Sequence, residues 1–270
     1  MPETLDSCPV CGSKDIRSYF GVMYEDRCFV LCECGAAFLN PRPTEEENIE
    51  WYRSGAYRER TAKFADEELE LRHQRMRGEY ISEIVRDADI SSHLDIGCSS
   101  GELLKQVQEG HPGITSIGVD VDPVFTKYAA DLTIFPSIKD VRGEFDLITL
   151  IHTLEHITYP VPFIKDIIEK LSPGGILAIE VPNRRAYMVA YSAPEHVIAY
   201  DLTSLMGLTK RLGLIPMGYE LQGWIQGSPM DLCIDLFVTN DADRYRVRFK
   251  DNPAPSKLSN RVYIKFNKEK

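Results

Sequence analysis

The stretch HLDIGCSSG at residues 93–101 decides the fold, because it sets a short apolar run directly before a glycine loop and a helical stretch. Glycines between a buried strand and a helix let a ligand approach the backbone closely, and the helix start offers unpaired N–H groups. The loop therefore predicts a ligand site. Gly97 and Gly101 have three residues between them, so the loop is not the GxGxxG dinucleotide fingerprint. It suits a nucleoside without a pyrophosphate.

The residues around this loop alternate between short apolar runs and helical stretches. Strands are predicted at 93–96, 114–119, 132–135, 145–151 and 176–181, with two later ones near 215–221 and 230–238. Helices are predicted at 44–52, 63–87, 101–108, 123–130, 161–171 and 202–212. Alternation of this kind with continuous apolar strands is typical of a parallel sheet covered on both faces. We predict an α/β fold with a doubly wound, mostly parallel sheet.

An acidic residue ends the second predicted strand, which finishes Ile117-Gly118-Val119-Asp120. A carboxylate at a strand end roughly 20–25 residues after a glycine loop is suited to accept hydrogen bonds from both hydroxyls of a ribose. Asp120 therefore predicts a nucleoside ligand. The other interpretation is a tight turn in a different doubly wound protein, which would leave Asp120 without this role.

Four motifs in order carry a family resemblance: DIGCSSGELL, GVDVDP, FDLITLIHTLEHI and LSPGGILAIEVPN. Together they resemble the class I S-adenosylmethionine (SAM)-dependent methyltransferases over residues 93–238. A small-molecule and sugar subgroup with a cysteine-rich N-terminal segment extends the resemblance to about residue 1. The resemblance implies a Rossmann-like sheet of seven strands, the last of them antiparallel.

The resemblance also implies which residues bind SAM. Asp95, Gly97 and Gly101 would surround its methionine part, and Asp120 would bind its ribose. The neighbouring candidates are Cys98 in the loop, Val121 beside Asp120, His152 after the fourth strand, and Ser137 with Ile138 after the third strand. The family usually has a polar or acidic residue facing the adenine after the third strand.

The segment His152-Thr153-Leu154-Glu155-His156 follows the fourth predicted strand. Open α/β sheets bind ligands at the carboxyl ends of their strands, and a neutral histidine held by a carboxylate can remove a proton near neutral pH. The LEH part resembles the acceptor-facing loop of sugar C-methyltransferases and quinol O-methyltransferases. We expect His156 to act as general base, with Glu155 orienting it or the acceptor. The other interpretation is a helix-start Glu155 with a structural His156.

Two further interpretations concern the histidines. His196, in Pro194-Glu195-His196 after the fifth strand, is a second candidate base or an exposed loop residue. The pattern H-x-x-E-H also occurs in a class of metalloproteases, but that chemistry needs both histidines one turn apart on a helix. Pro160 and Pro162 weigh against such a helix.

Five of the seven cysteines fall in the first 34 residues, which indicates a separate N-terminal module. Cys8 and Cys11 have two residues between them, the spacing of a zinc knuckle, whereas Cys32 and Cys34 have only one. We predict a structural zinc ion bound by Cys8, Cys11, Cys32 and Cys34. Cys28 replaces Cys32 or Cys34 in an alternative ligand set, and a module without metal is the remaining alternative.

Composition limits the partners. The chain has 270 residues, 43% of them apolar, and 31 Lys and Arg against 41 Asp and Glu give a net charge of −10. This balance argues against unspecific nucleic-acid binding. Apolar runs fall short of a membrane span, and the first residues lack the pattern of a signal peptide. We therefore expect a cytoplasmic protein with reduced cysteines.

The predicted organisation is a cysteine-rich module over 1–43, a helical linker or lid over 44–91, a methyltransferase domain over 92–240 and an unassigned tail over 241–270. The predicted function is SAM-dependent methylation of a small molecule: a sugar, nucleotide-sugar or natural-product hydroxyl or activated carbon. The alternatives are an RNA methyltransferase that reads RNA through the zinc module, and a non-catalytic zinc-bearing scaffold. The sequence leaves open the acceptor, the atom methylated and the oligomeric state.

Overall fold

A computed structural model of the chain describes residues 2–24, 27–57, 67–122, 131–186, 195–222, 233–241, 245–250 and 261–266. The strands are β1 (Ile16–Tyr24), β2 (Arg27–Cys32), β3 (Ala37–Leu39), β4 (Ser92–Ile96), β5 (Thr115–Val119), β6 (Thr133–Phe135), β7 (Phe145–Ile151), β8 (Leu171–Pro182), β9 (Ile198–Ala199), β10 (Ile215–Gln222), β11 (Cys233–Thr239), β12 (Tyr245–Lys250) and β13 (Arg261–Phe266). The helices are α1 (Glu45–Arg53), α2 (Glu67–Ile84), α3 (Glu102–Gly110), α4 (Pro160–Ile168) and α5 (Leu202–Arg211). The predicted helix at 123–130 and the start of the strand predicted at 230–238 lie outside the described residues.

Seven strands form the main sheet, in the order β10-β11-β8-β7-β4-β5-β6. The neighbours from β8 to β6 all pair in parallel, whereas β11 pairs antiparallel with both β8 and β10. The predicted doubly wound, mostly parallel sheet of seven strands is therefore confirmed, including its antiparallel last strand.

The central strands are buried on both faces. Along β7, Leu147 belongs to one apolar cluster and Ile148 and Leu150 to the other, as the two-residue period of a strand requires. Helices α2 and α3 contribute Ile81, Ile84 and Leu103 to the first cluster. This two-sided burial explains why the strand segments read as continuous apolar runs.

Local signals fix several helix ends. Thr44 and Glu47 form a capping box at the start of α1, in which each side chain accepts a hydrogen bond from the other residue's backbone N–H. Asp201 caps α5 by accepting from Ser204 N at 2.9 Å. Pro160 is the first residue of α4, where its missing N–H costs nothing. The proline that argued against a helix around residues 152–156 thus begins the next one.

A second sheet brings distant parts of the chain together. Strands β1, β2 and β3 form an antiparallel sheet, and β9 adds to it as the fourth strand by pairing with β3. The sequence did not reveal β9, because this strand is only two residues long and its partner β3 lies far away in sequence. The tail left unassigned contains an antiparallel hairpin of β12 and β13. In the described part of the chain, no helix has the length and apolar character needed to cross a membrane.

His93 lies on β4 and is completely buried. Its Nε2 lies 2.8 Å from Thr149 Oγ1, and the same hydroxyl donates to Asp95 Oδ1 at 2.7 Å. Because the Thr149 hydrogen is committed to Asp95, His93 Nε2 must donate to Thr149. His93 Nδ1 lies 3.2 Å from Ser116 Oγ and is then the acceptor of that hydroxyl's hydrogen. The ring is therefore held neutral beneath the glycine loop.

This buried ring predicts acid sensitivity. Burial lowers the pKa of His93 to about 3, whereas an unfolded histidine titrates near 6.5. The unfolded chain therefore takes up a proton that the folded chain does not, and the free energy of unfolding should fall by about 1.4 kcal/mol per pH unit below about pH 6.5. We expect urea unfolding between pH 7 and pH 4.5 to have a smaller pH slope in His93→Gln than in the wild type. Equal slopes would contradict the assignment.

Candidate active site

The chain turns sharply between β4 and α3 at the glycine loop, residues 97–101. Gly97 (φ 80°) and Gly101 (φ 75°) adopt left-handed backbone conformations that favour glycine. Gly97 N donates to Val119 O at 2.7 Å, and a Cβ at Gly97 would lie 2.1 Å from Thr153 Oγ1. The loop is therefore packed against the ends of β5 and β7, where any side chain at Gly97 would collide.

Asp120 directly follows β5 and holds the glycine loop. Its Oδ2 accepts from Ser99 N at 2.7 Å, and its Oδ1 accepts from Asp122 N at 2.9 Å. A carboxylate oxygen can accept more than one hydrogen bond, so a carboxylate held in this way is a suitable partner for ligand hydroxyls. Asp120 N donates to Phe135 O at 3.0 Å, which brings the end of β6 beside this carboxylate.

The residues expected near an adenine follow β6. Ser137 begins a short 3-10 turn by accepting from Lys139 N at 3.3 Å, and Ile138 is buried in that turn. Val121, next to Asp120, is half-buried. Ser137 and Ile138 thus follow the strand whose end pairs with Asp120, and their contact with an adenine stays a prediction.

A cavity opens beside the glycine loop. Among the residues that line it are Gln74, Arg77, Asp95, Gly97, Ser99 and His152. Burial raises the pKa of the Asp95 carboxyl to about 7, although the Thr149 hydroxyl donates to it. Cys98 also lines the cavity, but its burial raises the pKa of the thiol, and a protonated thiol is a poor nucleophile.

Sequence reasoning missed Gln74 and Arg77. Both are on α2, which was predicted only as a linking helix, and Arg77 is 8% exposed. Arg77 Nε donates to Glu180 Oε1 at 2.7 Å. The sequence signal for Arg77 was a basic residue on the apolar face of the predicted helix. Only the packing of α2 over the sheet shows that this residue reaches the cavity.

Three histidines surround the buried carboxylate of Glu155. Glu155 Oε1 lies 3.2 Å from His152 Nδ1 and 3.9 Å from the Nε2 atoms of both His156 and His196. Burial opposes ionisation of Glu155, but these rings outweigh it and lower the pKa of Glu155 to about 2. The two candidate bases and their expected carboxylate partner therefore form one cluster.

The ring of His156 is oriented by the backbone. Its Nδ1 lies 3.2 Å from Glu195 O, and since a carbonyl oxygen only accepts, this nitrogen carries hydrogen. The opposite nitrogen, Nε2, faces Glu155 and is available as a proton acceptor. Tyr52 packs against the ring at a centroid distance of 5.9 Å. Glu155 was expected to orient this ring or the acceptor, and that role stays a prediction; Nδ1 donates its hydrogen bond to a backbone carbonyl.

Residues 154–158, which we call the acceptor loop, accept hydrogen bonds from the N-terminal part of the chain and from the residue before β9. Val197 N donates to Glu155 O at 2.9 Å, directly before β9. Asn48 Nδ2 donates to His156 O at 2.8 Å, and the buried Arg42 donates to Thr158 O. Three carbonyl oxygens of the acceptor loop therefore accept hydrogen bonds from residues outside it, and these bonds hold the loop in place.

The segment His152–His156 does not have the helical geometry that the metalloprotease pattern requires. His152 follows β7 with a left-handed φ of 48°, and only Leu154–His156 form a 3-10 turn. The two histidines are therefore not on one helix turn. Because β4 and β7 pair in parallel, the glycine loop and this segment follow strand ends at the same edge of the sheet, which is the arrangement of a ligand site in such folds.

The N-terminal cysteines converge in a separate cluster. The sulfur atoms of Cys8, Cys11, Cys32 and Cys34 all lie within 4.8 Å of one another. Cys8 Sγ is 3.8 Å from Cys34 Sγ, and Cys11 Sγ is 3.4 Å from Cys32 Sγ. Tetrahedral zinc with Zn–S bonds of about 2.3 Å requires sulfur separations of about 3.8 Å. Cys28 is exposed and is not part of this cluster.

Comparison with known proteins is consistent with this geometry. The family model described as "Methyltransferase domain" matches residues 52–215, more than half of the chain. A ubiquinone biosynthesis O-methyltransferase from Actinobacillus pleuropneumoniae serotype 7 (strain AP76) is 30% identical over 122 residues, 39% of this chain and 52% of that protein. One from Sodalis glossinidius (strain morsitans) is 22% identical over 150 residues, 51% of this chain and 59% of that protein. The chain thus spans between half and three fifths of the length of these curated relatives.

Among solved structures, the plantazolicin methyltransferase BpumL in complex with SAH matches with a TM-score of 0.56. The match covers 73% of this chain and 97% of that chain at 13% identity. An O-methyltransferase family protein from Burkholderia thailandensis matches with a TM-score of 0.52 at 16% identity, over 63% of this chain and 57% of that chain. At these identities the likeness concerns the fold.

Proposed function

The chain belongs to the methyltransferase domain family, and from this premise we propose that it methylates a small-molecule acceptor with SAM as the donor. When bound, SAM supplies an electrophilic methyl group on its sulfonium. The residues of this chain must then bind the cofactor, orient the acceptor and remove its proton. The observation that carries the proposal is the meeting of the glycine loop, Asp120 and the Glu155 cluster at one edge of the sheet.

The glycine loop and the cavity beside it fit the cofactor. The missing side chain of Gly97 brings the loop backbone close to the ligand space, and a larger residue would meet Thr153. Arg77 lines the same cavity as Asp95, whose raised pKa would fall again beside a ligand ammonium group and leave the carboxylate charged. These charges complement an amino acid, which carries a carboxylate and an ammonium group, and so support a site for the methionine part of SAM.

Asp120 is proposed to bind the ribose. Its carboxylate already holds Ser99 and Asp122 by their backbone N–H groups, so its position is fixed before a ligand arrives. A fixed carboxylate can accept from two neighbouring hydroxyls without losing side-chain entropy on binding.

We expect Asp120→Ala to weaken SAM binding by about 1–3 kcal/mol, because it removes hydrogen bonds to a charged acceptor and loosens the loop at Ser99. Isothermal calorimetry with SAM and with S-adenosylhomocysteine measures this directly. The exposed Asp131 provides a matched control, since Asp131→Ala should leave both affinities unchanged. Equal affinity in Asp120→Ala and wild type would refute the ribose assignment.

His156 is proposed as the general base. Its Nδ1 is committed to Glu195 O, so a neutral ring presents the Nε2 lone pair toward Glu155 and the acceptor side. When this nitrogen takes the acceptor's proton, the Glu155 carboxylate at 3.9 Å stabilises the imidazolium. His196, at the same distance from Glu155, is the second candidate for this role.

The proposed acceptor is a sugar, nucleotide-sugar or natural-product hydroxyl or activated carbon. Relatives named for ubiquinone biosynthesis and for plantazolicin support a small-molecule acceptor. The net charge of −10 argues against RNA as the acceptor.

The cysteine cluster is proposed to bind one structural zinc ion. Its sulfur separations of 3.4 and 3.8 Å are close to those of a tetrahedral Zn–S4 site, and all four sulfurs come from residues of the predicted module at 1–43. Such a site has no open position for a reacting ligand, so the ion would stabilise the module and take no part in methyl transfer.

Cofactor binding is the decisive experiment for the proposed function. We expect the wild-type protein to bind SAM with a stoichiometry of one per chain in calorimetry. Binding together with methylation of a small-molecule acceptor supports the enzyme. No binding at millimolar SAM would instead favour the non-catalytic scaffold, and SAM binding with transfer to RNA only would favour the RNA methyltransferase.

A further inference from the structure

The carboxyl group of Glu155 is buried without a hydrogen-bond partner. Its side chain is 2% exposed, and neither of its oxygens accepts a hydrogen bond from a described residue. His152 Nδ1 comes within 3.2 Å of Oε1 without forming one. A buried carboxyl group costs free energy in either protonation state when its oxygens stay unpaired. These two orphaned oxygens therefore point to a ligand from outside the protein.

A second buried glutamate shows how this chain otherwise pairs such a group with a cation. Glu180 is 1% exposed, and Arg77 Nε donates to its Oε1 at 2.7 Å. Glu155 has three imidazoles within 4 Å, but it forms no ion pair with a lysine or arginine of the described residues. Buried charges in proteins are either paired or coordinate metal ions. The surroundings of Glu155 favour the second arrangement.

Two histidines offer nitrogen ligands beside this carboxylate. The Nε2 atoms of His156 and His196 are each 3.9 Å from Glu155 Oε1. The three residues offer one ligand atom each within 4.8 Å of one another. Zinc bonds to imidazole nitrogen and carboxylate oxygen are about 2.0–2.2 Å long, so two ligands of one ion are at most about 4.3 Å apart. Both measured separations from Glu155 fall inside this limit.

The backbone holds these ligands in place. His156 Nδ1 donates to Glu195 O at 3.2 Å, so its Nε2 keeps a lone pair for a metal ion. A hydrogen bond from the other ring nitrogen to a carbonyl is the usual arrangement of a ligating histidine. Val197 N donates to Glu155 O at 2.9 Å, which joins the segment of Glu155 and His156 to that of His196. The three ligands therefore need little rearrangement to bind an ion.

We propose that Glu155, His156 and His196 bind one divalent transition-metal ion such as Zn²⁺, at a site separate from the cysteine cluster. Imidazole ligands suit Zn²⁺ and other first-row transition-metal ions, whereas Mg²⁺ and Ca²⁺ prefer oxygen ligands. The consequence for methyl transfer rests on the proposed function. An ion on His156 Nε2 occupies the lone pair that would take the acceptor's proton. The bound ion therefore inhibits methyl transfer, and its removal restores the activity.

Cobalt binding tests the site without a known acceptor. Protein purified with EDTA should keep zinc in its cysteine cluster, because four thiolates hold the ion more tightly than three mixed ligands. We expect this protein to bind one further equivalent of Co²⁺, with visible d–d absorption and without the sulfur-to-cobalt charge-transfer band of thiolate ligands. Wild-type protein that binds no further Co²⁺, or whose added Co²⁺ shows the charge-transfer band, overturns the proposal.

Single variants identify the ligands. Glu155→Gln, His156→Ala and His196→Ala should each weaken Co²⁺ binding at least about tenfold, since losing a partner that only orients a ligand already costs about 10–100-fold. His111→Ala removes a histidine at the end of α3, outside the cluster, and should leave Co²⁺ affinity unchanged. Urea unfolding shows which variants keep the fold. Equal Co²⁺ affinity in wild type and in the folded ligand variants overturns the proposal.

Activity and cofactor binding separate this proposal from the proposed function. As Zn²⁺ fills the site, methyl transfer by the wild type should fall by about 10²–10⁴-fold, the usual contribution of a general base, and EDTA should restore it. Transfer that persists or rises with the site filled overturns the inhibition. Failure to bind SAM would contradict the proposed function, whereas the Co²⁺ measurements decide the metal site independently.

Discussion

Replacing His156 with alanine should lower acceptor turnover by about 10²–10⁴-fold, the usual contribution of a general base. The cause is the loss of the His156 Nε2 lone pair, which is proposed to accept the proton of the acceptor. Cofactor affinity should change little, because His156 is held by Glu195 O and Tyr52 and does not line the cavity beside the glycine loop. Single-turnover methyl transfer at saturating SAM, together with calorimetry, separates the two effects.

His196→Ala is the matched comparison for this experiment. His196 lies at the same distance of 3.9 Å from Glu155 Oε1, and a fall in turnover much smaller than in His156→Ala would identify His156 as the base. A larger fall in His196→Ala would exchange the two roles. Turnover in both single variants within threefold of wild type would refute proton removal by this cluster.

The catalytic fold was predictable because its signals are local. The strand predicted at 145–151 is reproduced to the residue as β7, since its continuous apolar run ends abruptly at His152. The predicted start of the next strand at 176 was wrong, because β8 begins at Leu171 and passes through Gly174 and Gly175 with a register shift against β7. Two consecutive glycines are typical of a turn. Only the pairing of Leu171 with Phe145 shows that β8 begins before them.

The candidate site was predictable in its residues and less so in their contacts. Glu155, His156 and His196 were chosen from their positions after two strands, and they do meet. That His156 is oriented by a backbone carbonyl, and that Arg77 reaches Glu180, depend on tertiary packing between elements distant in sequence. A periodic pattern tells which face of α2 is buried but not which charged residue meets a buried partner there.

The hydrogen bonds that connect the cysteine module to the acceptor loop could not be predicted from the sequence. Strand β3 follows the cysteine cluster and pairs with β9, and Val197 just before β9 donates to Glu155 O. The residue that follows β9, Tyr200, is fully buried. The module and the candidate base therefore share one hydrogen-bonded framework, so the proposed metal site should affect the acceptor loop although it supplies no reacting group.

Replacing both Cys8 and Cys11 with serine should abolish zinc binding and lower acceptor turnover. Structural zinc sites contribute on the order of 10–16 kcal/mol of apparent binding free energy to small modules, so the N-terminal sheet should lose its order. Because that sheet pairs with β9, we expect acceptor turnover to fall at least about tenfold, the effect of losing roughly 1.4 kcal/mol of transition-state positioning. SAM affinity should remain within a few-fold, since the glycine loop and Asp120 lie on the main sheet.

Metal analysis of the purified protein gives the first readout, with one zinc per wild-type chain and none in the double variant. Limited proteolysis gives the second, with new cleavage confined to the N-terminal sheet. Cys28→Ser is the matched control, because Cys28 is exposed and outside the cluster and its loss should preserve zinc and turnover. Zinc retained after loss of Cys8 and Cys11, or lost in Cys28→Ser, would reject the assigned ligand set. Zinc loss without any change in turnover would instead show that the acceptor loop keeps its geometry without the module, against the coupling through β3 and β9.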